Sequence, residues 1–240
     1  MELTPDKQLI IALDVDKESV ALELVDELKE YCTTFKIGAQ LFTRCGPGIV
    51  EKIHNKGCQV FLDMKYHDIP NTVAGAIRAA VDMNVFMCTL HVSGGTKMMQ
   101  AALEARGDRL TPKLIGVTVL TSMDQPMLEE VGVMKTLGMQ SNLLVNLAQK
   151  AGIDGVVASP QEVFRIRQAV DKNFIIVTPG IRPEIVADDQ KRVATPKEAI
   201  RLGANFLVVG RPVICAPSPI KAIEQIIGEM REAKDRVIVS

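Results

Sequence analysis

Leu9-Ile10-Ile11-Ala12-Leu13-Asp14-Val15-Asp16-Lys17 is the stretch that decides the architecture. Its first five residues are apolar without polar alternation, the pattern of a parallel strand buried on both faces. The run closes on a carboxylate, and the turn after it holds no glycine. An open, doubly wound sheet would carry its glycine-rich phosphate loop at this place. Behind the turn, Val20, Leu24 and Leu28 recur every four residues, with Ala21 and Val25 beside them. That spacing predicts a helix lying on the sheet.

The same unit repeats to the end of the chain. Strand-like runs stand at 9–14, 33–38, 59–65, 85–92, 113–120, 155–159, 174–179 and 205–210, eight in all, with helical stretches between them. Ser159-Pro160-Gln161-Glu162 and Thr195-Pro196-Lys197-Glu198 are helix starts: a hydroxyl cap, proline at the first helical position and glutamate at the third. Gly152 and Gly203 suit C-terminal caps. Eight such units predict an α/β fold, a (β/α)8 TIM barrel of eight parallel strands ringed by helices, whose usual size is about 250 residues. With no linker or low-complexity segment, residues 1–240 read as a single barrel domain.

Composition narrows the function. The net charge is −1, from 28 basic and 29 acidic residues, so no basic stripe addresses a polyanion. Tryptophan is absent and tyrosine occurs twice, which removes the stacking platforms of single-stranded nucleic-acid binders. Five cysteines without a C-x-x-C pair read as reduced thiols of a cytoplasmic protein. The acidic start Met1-Glu2-Leu3-Thr4-Pro5-Asp6 lacks the pattern of a signal peptide. No apolar run reaches the roughly 18 residues of a membrane span.

Chemistry in a barrel of this kind lies at the C-terminal ends of the strands. Those ends read Asp14, Lys36, Asp63 with Lys65, His91, residues 118–122, Ser159, Pro179-Gly180 and Gly210-Arg211. Charge gathers in the first three units. Side chains two apart on a strand share a face, so Asp63 and Lys65 are expected to project together. Asp68 falls beyond them, in a turn closed by Ile69-Pro70-Asn71-Thr72. A lysine between carboxylates keeps its proton, because its neighbours favour the ammonium form.

The seventh and eighth units end in Thr178-Pro179-Gly180-Ile181-Arg182-Pro183 and Val209-Gly210-Arg211-Pro212. Singly, each glycine reads as a turn residue and each arginine as a surface charge. Together, in the loops where this fold recurrently holds phosphate, they predict a phosphate site. The polar loop 181–194, with Arg182, Asp188, Asp189, Gln190, Lys191 and Arg192, is long for a β–α connection and is expected to be a lid. Of three histidines, His54 reads as a surface residue, His67 as part of the Asp68 turn and His91 as a strand end. No metal-ligand spacing occurs, and with Lys65 between Asp63 and Asp68 no metal is expected.

Asp63-Met64-Lys65-Tyr66-His67-Asp68-Ile69-Pro70-Asn71-Thr72-Val73 resembles the signature of the orotidine 5′-phosphate decarboxylase family, which usually has Leu and Phe where this chain has Met64 and Tyr66. Ala12-Leu13-Asp14, Phe35-Lys36-Ile37-Gly38, Leu120-Thr121-Ser122-Met123 and the endings of the seventh and eighth units resemble further motifs of that family, in order. The compact form looks like the bacterial branch. The resemblance implies conversion of orotidine 5′-monophosphate to uridine 5′-monophosphate and CO2, the last step of de novo pyrimidine synthesis. It also implies that there is no cofactor and that the protein is a homodimer. Lys65 would protonate C6, while Asp63 would crowd the substrate carboxylate and hold Lys65. Asp68 would reach the partner's site, with Ile69 and Thr72 alongside. Asp14 and Lys36 would bind the ribose hydroxyls and complete the charge chain. Thr121 and Ser122 would contact the pyrimidine, and Pro179 would line the site. Arg182, Gln190, Gly210 and Arg211 would hold the phosphate, although the lid is one residue shorter than in some relatives.

Three other readings make different predictions. A sugar-phosphate decarboxylase or aldolase of the same superfamily would need Mg2+. A silent phosphosugar-binding protein would not need Lys65. A dimer-interface salt bridge would make Lys65 matter to assembly before turnover.

Overall fold

Alternation along each strand sorts the side chains into two apolar layers. A computed structural model describes residues 4–183 and 193–235. It contains strands β1 (Leu9–Ala12), β2 (Thr34–Gly38), β3 (Gln59–Tyr66), β4 (Met87–His91), β5 (Lys113–Val117), β6 (Gly155–Val157), β7 (Ile175–Thr178) and β8 (Phe206–Val209). Each pairs in parallel with the next, and β8 pairs with β1, so the sheet closes into a barrel. Ile10, Ala12, Phe61, Met87, Ile115, Val177, Phe206 and Val208 point inward and fill the barrel. Leu9, Ile11, Phe35, Ile37, Val60 and Leu62 point outward, into the layer beneath the helices. Each buried leucine or isoleucine contributes about 1.5–3 kcal/mol. A one-residue slip would exchange the two layers, so the register is strongly specified.

The expected units are all present, with most strands ending one to three residues earlier than the apolar runs do. Both proline-led helix starts form capping boxes, Ser159 with Glu162 and Thr195 with Glu198. Gly152 and Gly203 cap helices in the left-handed conformation. The first large helix, Glu18–Leu28, departs in one respect. Its buried stripe is Ala21, Leu24, Val25 and Leu28, while Val20 is 38% exposed. An apolar pair four apart fits either of two adjacent faces, and the closer approach that alanine allows selects the other one.

Close packing also fixes Gly155. A Cβ there would lie 2.1 Å from the carbonyl oxygen of Ile175 on the neighbouring strand. The five cysteines are unbridged, and burial pushes the Cys32, Cys58 and Cys88 thiols above their usual range. Among the described residues, no helix is long and apolar enough to cross a membrane.

Candidate active site

Strand parity delivers the charges to one place. The inward series Ile10, Ala12 continues to Asp14, and Phe61 continues to Asp63, while Lys36 lies on β2 opposite Ala12 and Phe61. All three therefore cap the interior of the barrel at its C-terminal end. The Lys36 ammonium lies 3.0 Å from Asp14 Oδ1 and 3.6 Å from Asp63 Oδ2, and Lys65 Nζ lies 2.8 Å from the same Asp63 oxygen. Carboxylate and ammonium thus alternate in the order Asp14, Lys36, Asp63, Lys65. Lys36 is 8% exposed, and a lysine this buried requires such partners. Gly38 leaves room for the pair, since a Cβ there would stand 3.3 Å from Lys36 Nζ.

The expectation that Asp63 and Lys65 meet holds, but not through regular strand geometry. Leu62 pairs with Cys88 and Tyr66 with Leu90, so Asp63, Met64 and Lys65 lie opposite Thr89 alone. The excess is taken up by a bulge in which Lys65 has φ +52°. For a lysine this left-handed conformation costs about 1–2 kcal/mol. Thr89, fully buried, sits in the gap. Its hydroxyl donates to Asp63 Oδ1 (2.9 Å) and accepts the Lys65 N–H (2.8 Å).

Burial alone would raise the Asp63 pKa. The Lys36 and Lys65 charges, with hydrogen bonds from Lys65 and Thr89, outweigh it and hold the carboxyl below its ordinary value. Asp63 is therefore ionised at neutral pH. His91 is shifted down by burial, by His67 and by Lys65, so it is neutral there. Its ring lies 5.3 Å from that of His67. His54 is half-buried on the helix Gly48–His54 rather than on the surface, and burial lowers its pKa.

These charges form one wall of a cavity of about 310 Å³. Phe61, Val117, Val157, Val177 and Val208 make its apolar floor, and Val119, Leu120 and Thr121 one flank. Pro179, Gly180, Arg182, Gly210 and Arg211 line the β7–β8 side of the same cavity, where β8 pairs with β1 and a Cβ on Gly210 would stand 3.6 Å from Asp14 Oδ2. Gly180 has φ +76°, which favours glycine. Arg182 is 7% exposed and donates through Nη1 to the Ile181 carbonyl. Residues 181 and 194 bridge, and the Arg182 N–H bonds the Ala194 carbonyl at 3.0 Å, pinning the two ends of the long loop. Gln190, with Asp188, Asp189, Lys191 and Arg192, lies outside the described residues.

Asp68, Ile69, Thr72 and Ser122 are exposed and do not line the cavity. Asp68 Oδ1 accepts the Ile69 N–H at 2.6 Å, just before the helix Pro70–Asp82. Thr89 is a network member that the sequence reading passed over, whereas Val119 and Leu120 fall in the strand end 118–122 that it singled out without giving them a role. The only sequence signal for Thr89 is a lone hydroxyl in Met87-Cys88-Thr89-Leu90. Among the described residues, no group of three or more His, Cys, Asp or Glu side chains is arranged to hold a metal.

The chain matches known proteins over most of its length. Residues 7–226 match the model of the family described as Orotidine 5'-phosphate decarboxylase / HUMPS family. The orotidine 5'-phosphate decarboxylase of Saccharophagus degradans is 51% identical over 231 residues, covering 95% of this chain and 97% of that one. That of Geobacter sp. strain M21 is 45% identical over 230 residues, covering 93% and 96%. The crystal structure of orotidine 5'-phosphate decarboxylase from Lactobacillus acidophilus has a TM-score of 0.83 at 34% identity, covering 94% of this chain and 99% of that one. With the charged mouth at the expected end of the barrel, the chain belongs to the orotidine 5'-phosphate decarboxylase / HUMPS family.

Proposed function

We propose that this chain decarboxylates orotidine 5′-monophosphate to uridine 5′-monophosphate and CO2, the last step of de novo UMP synthesis, without a cofactor and as one barrel domain. The observation that carries the reading is the alternating Asp14–Lys36–Asp63–Lys65 chain, which shares the lining of one cavity with Gly180, Arg182, Gly210 and Arg211.

When the bond from C6 to the carboxylate carbon breaks, its electron pair remains on C6. A fixed ammonium at that carbon stabilises the developing charge and then donates its proton. Lys65 has that role. Ionised Asp63 aims Lys65 and opposes the substrate carboxylate, a ground-state repulsion relieved as CO2 leaves. Lys36 keeps Asp63 ionised and, with Asp14, binds the ribose hydroxyls. Thr121 and Ser122 contact the pyrimidine, and Pro179 lines the site. Arg182, Gln190, Gly210 and Arg211 hold the phosphate. The phosphate is remote from C6, so its binding energy serves to close the loop 181–194 and fix the charges.

We further propose that the protein acts in the cytoplasm as a homodimer in which Asp68, Ile69 and Thr72 complete the partner's site. Their exposure beside the cavity supports this, and Ile69 is 67% exposed. Mixing inactive Asp68→Asn and Lys65→Ala subunits under exchange should restore about a quarter of wild-type activity, because half the dimers regain one intact site. No recovery would contradict the shared site.

The activity itself is tested by ultraviolet absorbance of orotidine 5′-monophosphate with purified protein in excess EDTA. Conversion to the uridine spectrum supports the reading. No conversion by well-folded protein, with sugar phosphates consumed once Mg2+ is restored, would replace it.

A further inference from the structure

We propose that Thr89 is a positioning residue, whose hydroxyl sets the relative placement of Asp63 and Lys65 and so governs turnover rather than substrate binding. The inference rests on the decarboxylase reading above, and concerns a residue that does not itself line the cavity.

Three residues of β3 lie opposite this single residue of β4. A bulge of that size leaves the ladder without its regular hydrogen bonds, and one side chain supplies the replacements. The direction of both bonds is forced. An amide N–H only donates, so Thr89 Oγ1 accepts from Lys65. An ionised carboxylate only accepts, so the Thr89 hydroxyl proton goes to Asp63 Oδ1. Only a group that donates and accepts at one atom satisfies both. The outcome is specific at each end. Lys65 is held in a left-handed conformation that a lysine keeps only where its surroundings dictate it. Asp63 is turned so that its other oxygen receives both Lys65 and Lys36. Thr89 is fully buried, so solvent does not compete for either bond.

The test is a two-by-two set: wild type, Thr89→Ser, Thr89→Val and Thr89→Ala. Wild type and the serine variant keep the hydroxyl; wild type and the valine variant keep the methyl. For each, kcat and KM for orotidine 5′-monophosphate, affinity for uridine 5′-monophosphate and Tm are measured. The proposal expects kcat to sort by the hydroxyl. The valine and alanine variants lose about 100-fold, the scale of an ångström-sized misplacement, the serine variant stays close to wild type, and product affinity is unchanged in all. Tm sorts separately, since it also responds to the methyl. A kcat that sorts by the methyl, or that is the same in all four, would overturn the proposal and leave Thr89 a packing residue. If the valine and alanine variants do not fold, the serine variant decides: retained kcat supports the positioning role, and a folded serine variant without turnover overturns it. An inactive wild type would remove the decarboxylase reading itself, and this proposal with it.

Discussion

On the β1–β3 side of the barrel mouth, Lys36, Asp63 and Lys65 are rooted in the sheet or in its bulge, with only Asp14 two residues past its strand; on the β7–β8 side, all the polar groups stand in the connections beyond the sheet. Lys36 and Asp63 continue the inward series of their strands and are held by ion pairs of 3.0 to 3.6 Å. Gly180, Arg182, Gly210 and Arg211 follow the last residues of β7 and β8. Under the proposed function, the contrast teaches how one cavity would serve two needs. Charges that must meet a reacting carbon need placement better than loops give, and strands supply it. A group that must grip and release a phosphate tolerates loop mobility and gains from closure.

The largest effect expected from breaking this contrast belongs to Lys65→Ala. On the proposed role it removes both the electrostatic stabilisation and the proton donor, so kcat should fall by about 10⁴-fold or more. Dimer content by light scattering should be unchanged. A dimer that dissociates while turnover persists would favour the interface reading of the salt bridge. Next comes Lys36→Met, expected to cost about 100-fold, because Asp63 then keeps one cation of two. The pH profile sharpens this. The Asp63 pKa is depressed in the folded protein, so the stability it contributes is present above the ordinary carboxylate value of about 4. That stability is lost only as pH falls through the lower folded value. Without Lys36 the folded value rises, so the acid limbs of activity and stability should both move to higher pH. An unmoved acid limb would show that Asp63 does not titrate in the profile.

The smallest effect serves as the control. Lys52 pairs with Glu18 at 2.5 Å on the outer surface, with both side chains exposed by a third or more. Lys52→Ala should change stability by no more than about 1 kcal/mol and leave kcat alone. A large loss of activity there would mean that charge changes anywhere disturb the site.

How much of this was legible in the sequence follows from the same contrast. The eight strands could be read because parallel strands buried on both faces are plain apolar runs, and Lys36 stood out by interrupting one. The bulge at Lys65 could not, because Asp63-Met64-Lys65 contains neither glycine nor proline and its extra length shows only against the register of β4. Thr89 was hidden for a related reason: threonine is an ordinary strand residue, and nothing local says that its hydroxyl faces two partners. Val20 was misplaced because apolar spacing fixes a period but not which of two adjacent faces packs. Asp68 was singled out as a carboxylate in the turn after Lys65, but the roles proposed for Asp68, Ile69 and Thr72 come from resemblance alone, and in one chain they do not line the cavity.

The most direct test of the division between the two halves compares orotidine 5′-monophosphate with orotidine, which lacks the phosphate, in wild type and Arg211→Ala. Loss of a charged hydrogen-bond partner should cost the phosphorylated substrate about 100-fold in kcat/KM. Orotidine, already slow, should be turned over by the variant as well as by wild type. If Arg211→Ala instead slows both substrates by the same factor, the arginine acts on the reacting carbon or on the fold, and the separation of anchoring from chemistry is wrong.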